Sequence, residues 1–151
     1  MNTSEISVIL DESLAGSLGT ICESGGPFVS LVTVAPVIAP VGPRRVSMLL
    51  SGLAVHTKNL LRNGSASLLL VSPGGESGDP LAGSRVTLTG TVTRLSRDDD
   101  GEVRSAFLAK HPSAAMYADF GDFAFFILEI EQAHLVAGFG KVVTVSGDEL
   151  N

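Results

Sequence analysis

A chain of 151 residues is long enough to bury the hydrophobic core of one ordinary domain, which we expect to span residues 1–151. The formal net charge of -6, with ten Lys and Arg residues scattered along the chain, excludes nucleic-acid binding through a basic patch. We predict a cytoplasmic protein without a metal site, because the chain has one cysteine, no Cys/His spacing typical of zinc, no leader pattern and no apolar run near the roughly 20 residues that cross a bilayer.

The first third of the chain predicts a helix, a hairpin and a buried strand. Apolar residues at helical spacing predict a short amphipathic helix over residues 4–15, capped by Ser4. Two β-rich runs, residues 18–22 and 28–35, flank a turn that contains two glycines and a proline, which predicts a hairpin. Residues 45–51 then have the pattern of a mostly buried strand.

The middle of the chain predicts a short helix between two strands. The helix covers residues 56–62, and we expect Asn63 and Gly64 to end it in a left-handed conformation. Residues 65–71 form the next strand. The polar loop over residues 72–84 is long enough to be either a functional flap or a disordered tip. Residues 85–95 form the clearest strand, in which Gly90 marks a bulge or a close approach of two backbones.

The last third predicts one helix and three strands. The helix covers residues 102–110, and three aspartates precede it where the helix dipole favours them, so they need no metal to explain them. The strands cover residues 123–130, 133–137 and 141–145. Many short strands with few helices and no regular βα alternation predict a mainly β protein, a closed or partly closed antiparallel barrel.

The stretch SGLAVHTKN, residues 51–59, is the main chemical motif. A helix that starts directly after a buried strand and a glycine would direct unpaired backbone N–H groups, the Thr57 hydroxyl and the Lys58 ammonium towards one volume suited to a phosphate. An equally good interpretation is a helix start capped by Thr57, with Lys58 in solvent. His111, at a helix end, and His134, on a late strand, are weaker candidates for a site.

Four stretches carry a resemblance to a known family: SLGTICESGGPFVSLVTVAP, LLSGLAVHTKNLLRNGSASLLLV, DPLAGSRVTLTGTVTRL and HLVAGFGKV. In order and spacing they resemble the pyridoxamine 5'-phosphate oxidase-like FMN-binding split barrel family, especially its haem-utilisation branch. The resemblance covers residues 14–145. It implies a six-stranded antiparallel split β-barrel with a few short helices, which forms a homodimer and holds FMN between its subunits. It also implies a flavin-dependent oxidoreductase of unknown substrate.

The same resemblance implies which residues contact FMN. The strand from Pro27 to Val32 would run alongside the flavin, and Arg85 would contact the isoalloxazine ring. The residues before and at the start of the short helix would bind the phosphate. The predicted cofactor-binding residues are Pro27, Phe28, Val29, Ser30, Val32, Ser51, Gly52, His56, Thr57, Lys58 and Arg85.

Departures from the family pattern leave two alternatives open. The chain has no Trp, whereas pyridoxamine phosphate oxidases end in a segment with Trp and Arg-His, so we do not expect that oxidation. Thr57 stands where the oxidases use Arg, which is compatible with a cofactor-free split-barrel binding module. Haem-degrading relatives take an axial histidine from an extra C-terminal region, and only SGDELN follows Val145. A haem-binding or haem-utilisation protein would therefore use His56 or His134 to ligate iron.

Overall fold

The computed structural model describes residues 2–37, 42–72, 78–138 and 140–150, and within these ranges it contains three α-helices and seven strands. In chain order they are α1 (Asn2–Glu12), β1 (Ala15–Ile21), β2 (Pro27–Val37), β3 (Arg45–Ser51), α2 (Val55–Arg62), β4 (Ser65–Val71), β5 (Ser84–Arg94), α3 (Gly101–Lys110), β6 (Phe123–Ala137) and β7 (Lys141–Ser146). The predicted loop over residues 72–84 falls partly outside the described residues, because residues 73–77 are not among them.

The strands form one antiparallel sheet that closes on itself. Their order is β3-β2-β1-β4-β5-β6-β7, and an additional pairing between β3 and β6 closes the first six strands into a barrel. β7 pairs with β6 and lies outside the closure. The predicted fold class, a mainly β six-stranded antiparallel split barrel with a few short helices, is therefore confirmed.

The barrel interior holds the main hydrophobic core. Leu18, Leu68, Leu88 and Leu128 are fully buried there, each from a different strand, and α1 adds Ile6 to the same cluster. Burying one such side chain stabilises the fold by about 2 kcal/mol. Because side chains alternate across a strand, the neighbours of these leucines face the outside of the barrel.

A second apolar cluster lies outside the barrel, under α3 and the short 3-10 turn Pro112–Met116. Phe107 of α3 packs edge-on against Phe125 of β6, with ring centroids 5.4 Å apart. His111 lies at the end of α3, and its Nε2 is 2.7 Å from the carbonyl oxygen of Val34 on β2. This cluster covers the outer side of the barrel near β3. Among the described residues, the outer side of β4 keeps exposed side chains, whereas that of β1 is mostly half-buried.

β6 is one long strand rather than the two short strands that the sequence predicts. Its register with β5 shifts between Thr89 and Gly90, so that Glu131 is the extra residue of a β-bulge. A Cβ atom on Gly90 would overlap the carbonyl oxygen of Glu129. The predicted bulge or close approach at Gly90 is confirmed, but the bulge bends β6 without ending it.

The predicted end of the short helix is wrong. Asn63, the residue after α2, has an extended backbone with φ of -149°, and Gly64 is not among the glycines with positive φ. Gly64 instead lies against β5, where an added Cβ atom would stand 2.7 Å from the carbonyl oxygen of Val92. The glycine is required by close packing between chain segments and not by a left-handed turn. The first helix also differs, because it ends at Glu12 and Ala15 already belongs to β1.

Candidate functional site

The polar residues at the start of α2 do not converge on one volume. Successive residues of a helix point about 100° apart, so neighbours in sequence face different surroundings. Thr57 is buried, Lys58 is exposed, and Asn59 is buried where its Nδ2 donates a hydrogen bond to Thr20. The three side chains therefore have different surroundings, and the phosphate site at this helix start stays a prediction. The alternative in which Thr57 caps the helix is wrong, because the N-cap residue is Ala54 and no side chain makes a capping hydrogen bond there.

Thr57 faces a cavity of about 200 Å³ between α2 and the barrel. Its hydroxyl is buried and has no hydrogen-bond partner among the described residues. The cavity is lined by Leu50, Gly52, Thr57, Leu61, Arg94, Gly121, Asp122, Ala124 and Phe126. A space of this size has room for several water molecules, which can satisfy a hydroxyl. Nothing in the sequence pattern signals Arg94 or Asp122, because both come from segments distant from α2.

Ser51 and Gly52 anchor the end of β3 to the loop before β6. The Ser51 hydroxyl donates to Oδ2 of Asp122 at 2.7 Å, and the Gly52 N–H donates to the Asp122 carbonyl oxygen at 2.5 Å. Ser51 Oγ also accepts a hydrogen bond from the Leu53 N–H. Both predicted site residues thus have partners within the fold.

His56 is half-buried at the start of α2, and burial lowers its pKa below the usual 6.5. The imidazole is therefore neutral near pH 7 and able to ligate a metal. No hydrogen bond among the described residues orients either ring nitrogen. His56 is a chemically competent ligand, but its ring orientation is not fixed by a partner.

The β2 residues predicted to contact the cofactor, from Pro27 to Val32, lie on two sides of the sheet. Val32 is only 6% exposed and belongs to the core, and the Ser30 hydroxyl is buried without a partner among the described residues. Val29 and Leu31 face the opposite side and are 69% and 79% exposed. Pro27 and Phe28 begin the strand and are exposed as well. Because side chains alternate along a strand, the residues from Pro27 to Val32 do not share one surface, and their part in a binding site stays a prediction.

The exposed β2 residues belong to a larger group on the outside of the barrel. We call it the outer face, and it consists of Val29, Leu31, Leu69, Val71, Arg85 and His134. Strand pairing places them side by side: Ser17 connects Leu31 with Leu69, and Thr87 connects Leu69 with His134. The outer side of an antiparallel barrel is normally polar, and exposed apolar side chains that lie together mark a contact surface.

His134 and Arg85 are neighbours on the outer face. Arg85 pairs with Val136 and Thr87 pairs with His134, so Arg85 and His134 are diagonal cross-strand neighbours, about 7 to 8 Å apart. Nη1 of Arg85 donates to the carbonyl oxygen of Leu81 at 3.1 Å, which leaves four further N–H groups for another partner.

One ring nitrogen of His134 already has a partner. Nδ1 lies 2.8 Å from Oγ1 of Thr144 on β7, and no partner of Nε2 is recorded among the described residues. No group of three or more His, Cys, Asp or Glu side chains in the described part of the chain could hold a metal ion. The outer face therefore offers one imidazole ligand beside one cation and several apolar side chains.

Comparison with known proteins identifies the family. The family model described as "CREG, beta-barrel" matches residues 7–150, nearly the whole chain. This chain belongs to the CREG β-barrel family. Structural likeness to a protein of the pyridoxinephosphate oxidase family from Clostridium acetobutylicum, with a TM-score of 0.70 at 15% identity, shows the shared split-barrel fold.

Three relatives are named for haem. The chain is 36% identical over 152 residues to "Non-canonical heme oxygenase HOZ, chloroplastic" of Arabidopsis thaliana, covering 95% of this chain and 43% of that protein. It is 29% identical over 156 residues to "Heme oxygenase HutZ" of Vibrio cholerae, covering 97% and 82%. A solved heme binding protein from Mycobacterium smegmatis has a TM-score of 0.89 at 30% identity, covering 99% and 60%. The chain spans less than two thirds of the plant and mycobacterial proteins.

These relatives correct the predicted cofactor. Their names refer to haem and not to FMN, so the prediction of FMN, and with it a flavoprotein with FMN-dependent oxidoreductase activity, is wrong. The flavin contacts predicted for Arg85 and for the residues from Pro27 to Val32 depended on this cofactor. The family resemblance is confirmed for the split-barrel fold and not for FMN binding.

The helices of the described residues include none that is long and apolar enough to cross a membrane. The cytoplasmic location stays a prediction, and the name of the plant relative places that protein in the chloroplast.

Proposed function

We propose that this chain binds haem on its outer face, with Nε2 of His134 as the iron ligand. The observation that carries the proposal is the His134 imidazole itself: it is exposed, Thr144 holds one ring nitrogen, and the other is directed to no recorded partner. The haem names of three relatives support haem as the ligand.

The residues of the outer face fit the chemistry of haem. The porphyrin is large and apolar, and Leu69 and Val71 offer exposed apolar surface two strands from His134, roughly 10 Å away at the usual strand spacing. The haem carboxylates need cationic partners, and the unused N–H groups of Arg85 supply them. Bound haem would supply redox-active iron, while these side chains hold and orient it.

His134 is a better ligand than His56 because its ring is oriented. A histidine that binds a metal almost always bonds through its other ring nitrogen to a second group, which fixes the tautomer and the ring orientation. His134 has such a partner in Thr144, whereas no partner is recorded for His56 within the described ranges. His56 also lies at the start of α2, outside the outer face.

We further propose that two copies of the chain form a homodimer through the outer face, with haem between them. Leu31 and Val29 are among the most exposed apolar side chains of the described structure, which favours their contact with another surface. A flat cofactor lying on one sheet would keep its second side in water, and a second copy would remove that apolar surface from water as well.

Titration with hemin tests this function. We expect the wild type to develop a Soret band of bound haem, and His134→Ala to bind hemin at least tenfold more weakly with a shifted band. His56→Ala is the matched control and should bind as the wild type does. Normal binding by His134→Ala together with loss in His56→Ala would contradict the ligand assignment, and a wild type that binds no hemin would overturn haem binding altogether.

Haem breakdown is a second candidate, favoured by the relatives named haem oxygenases, one of which is 36% identical. The hemin-loaded protein would be given ascorbate as reductant and molecular oxygen, and released iron would be trapped by a coloured chelator. Faster loss of the Soret band and more trapped iron than with free hemin would support breakdown. A stable Soret band under these conditions would restrict the function to binding.

A further inference from the structure

We propose that Thr144 is the positioning residue that holds His134 in the tautomer able to ligate iron. The inference rests on the proposed function, because it concerns the same histidine. It assigns a role to β7, the one strand of the described sheet that takes no part in closing the barrel.

A neutral imidazole has two tautomers. One ring nitrogen carries a proton and the other a lone pair, and the hydrogen bond made by one nitrogen decides the state of the other. Iron ligation through Nε2 requires the proton on Nδ1. The 2.8 Å separation between Nδ1 of His134 and Oγ1 of Thr144 suits a hydrogen bond in either direction. The bond that supports ligation is the one in which Nδ1–H donates to the hydroxyl.

Strand register, rather than side-chain packing, places Thr144 beside His134. The two residues are direct cross-strand partners on β6 and β7, and both are exposed on the outer side of the sheet. The alternate residues Val143 and Val145 turn inwards and pack against the core, which fixes β7 in place. An ion pair of 2.5 Å between Lys141 and Glu5 also ties β7 to α1. The Thr144 hydroxyl is thus held at a defined position without taking part in the core.

His134 has a second threonine neighbour that provides a control. Thr87 is its direct partner on the other side, on β5, and no hydrogen bond between their side chains is recorded. Both threonines are β-branched strand residues of the same size, each one strand away from the histidine. Replacing either by valine keeps the shape and removes only the hydroxyl.

The first test compares hemin affinity among single variants. We expect Thr144→Val to bind hemin about tenfold more weakly, in the range typical for loss of a partner behind a metal-bound histidine. Thr144→Ser, which keeps the hydroxyl, should restore affinity, and Thr87→Val, which removes a hydroxyl from the same row without a bond to His134, should weaken binding much less than Thr144→Val. Equal weakening in Thr87→Val and Thr144→Val would overturn the inference, because the effect would then not depend on the bond to Nδ1.

The second test needs no haem. Nitrogen NMR of the iron-free protein reports which ring nitrogen of His134 carries the proton, and we expect the Nδ1–H form to decrease in Thr144→Val and to return in Thr144→Ser. An unchanged tautomer and unchanged hemin affinity in Thr144→Val would overturn the inference while the proposed function stands. A wild type that binds no hemin would overturn the role in ligation together with the proposed function.

Discussion

The backbone of Gly90 on β5 lies against the carbonyl group of Glu129 on β6 so closely that no Cβ atom fits between them. The same pair of strands carries Arg85 and His134 further along, so this contact helps to set the register of the outer face. Gly90→Ala would push two backbones apart, and we expect it to lower the free energy of unfolding by about 3 kcal/mol, as measured by urea denaturation.

Gly101→Ala is the matched control for that substitution. Gly101 begins α3 in an exposed position, and an added Cβ atom would meet nothing within 4 Å. Alanine favours a helix over glycine, so this variant should gain about 0.5 to 1 kcal/mol. A Gly90→Ala variant as stable as the wild type would show that β5 and β6 separate easily at the bulge.

Local sequence patterns predicted most of the fold because the barrel is built from strands with one buried side. Alternation of apolar residues located the strands, and Gly90 signalled the close approach of two backbones within a β-branched run. The continuity of β6 could not be seen in the same way, because Glu131 and Gln132 interrupt the alternation. Only the pairing with β5 shows that Glu131 is the extra residue of a bulge within one strand.

The candidate site was much harder to predict, because its residues are adjacent through strand pairing and not in sequence. Leu31, Leu69 and His134 share one row across the sheet although they lie on three separate strands. Conversely, Thr57 and Lys58 are adjacent in sequence, but Thr57 is buried and Lys58 is exposed because successive residues of a helix point in different directions. The only local signal of the site in the sequence is His134 between two apolar residues of a strand. A lone histidine in a strand is too common to indicate a site.

Stability should depend on pH through His56. Burial lowers the pKa of its imidazole, so below about pH 6.5 the unfolded chain binds a proton at this residue more readily than the folded chain does. The stability that the neutral ring contributes is present above pH 6.5 and is lost as the pH falls towards the lowered pKa of the folded state. We therefore expect the free energy of unfolding to fall more steeply from pH 7 to pH 5 in the wild type than in His56→Gln, as measured by urea denaturation at constant salt. Identical slopes would contradict the burial of this ring.

A charge on the outer face should separate the proposed dimer. Leu31 is 79% exposed in the single chain, and burying it in each of two copies would contribute about 2 kcal/mol per copy, which Leu31→Asp would remove. We expect light scattering to give twice the 15.6 kDa chain mass for the wild type and one chain mass for the variant. Leu53→Asp is the control, because Leu53 is 76% exposed but lies outside the outer face. A wild type that is monomeric at micromolar concentration would rule out the dimer.

Arg85 should bind the carboxylates of haem and not its ring. A hydrogen bond between charged groups contributes about 1.5 to 3 kcal/mol, so Arg85→Ala should weaken hemin binding by about tenfold to a hundredfold. Arg94→Ala is the matched control, since Arg94 is an exposed arginine at the other end of the same strand. Hemin dimethyl ester separates charge from packing, because it keeps the ring and the iron but has no carboxylate. The wild type and Arg85→Ala should bind this ester equally. An Arg85→Ala variant that weakens the ester as much as hemin would instead mean that the arginine stem packs against the ring, and the outer face would then lack a partner for the carboxylates.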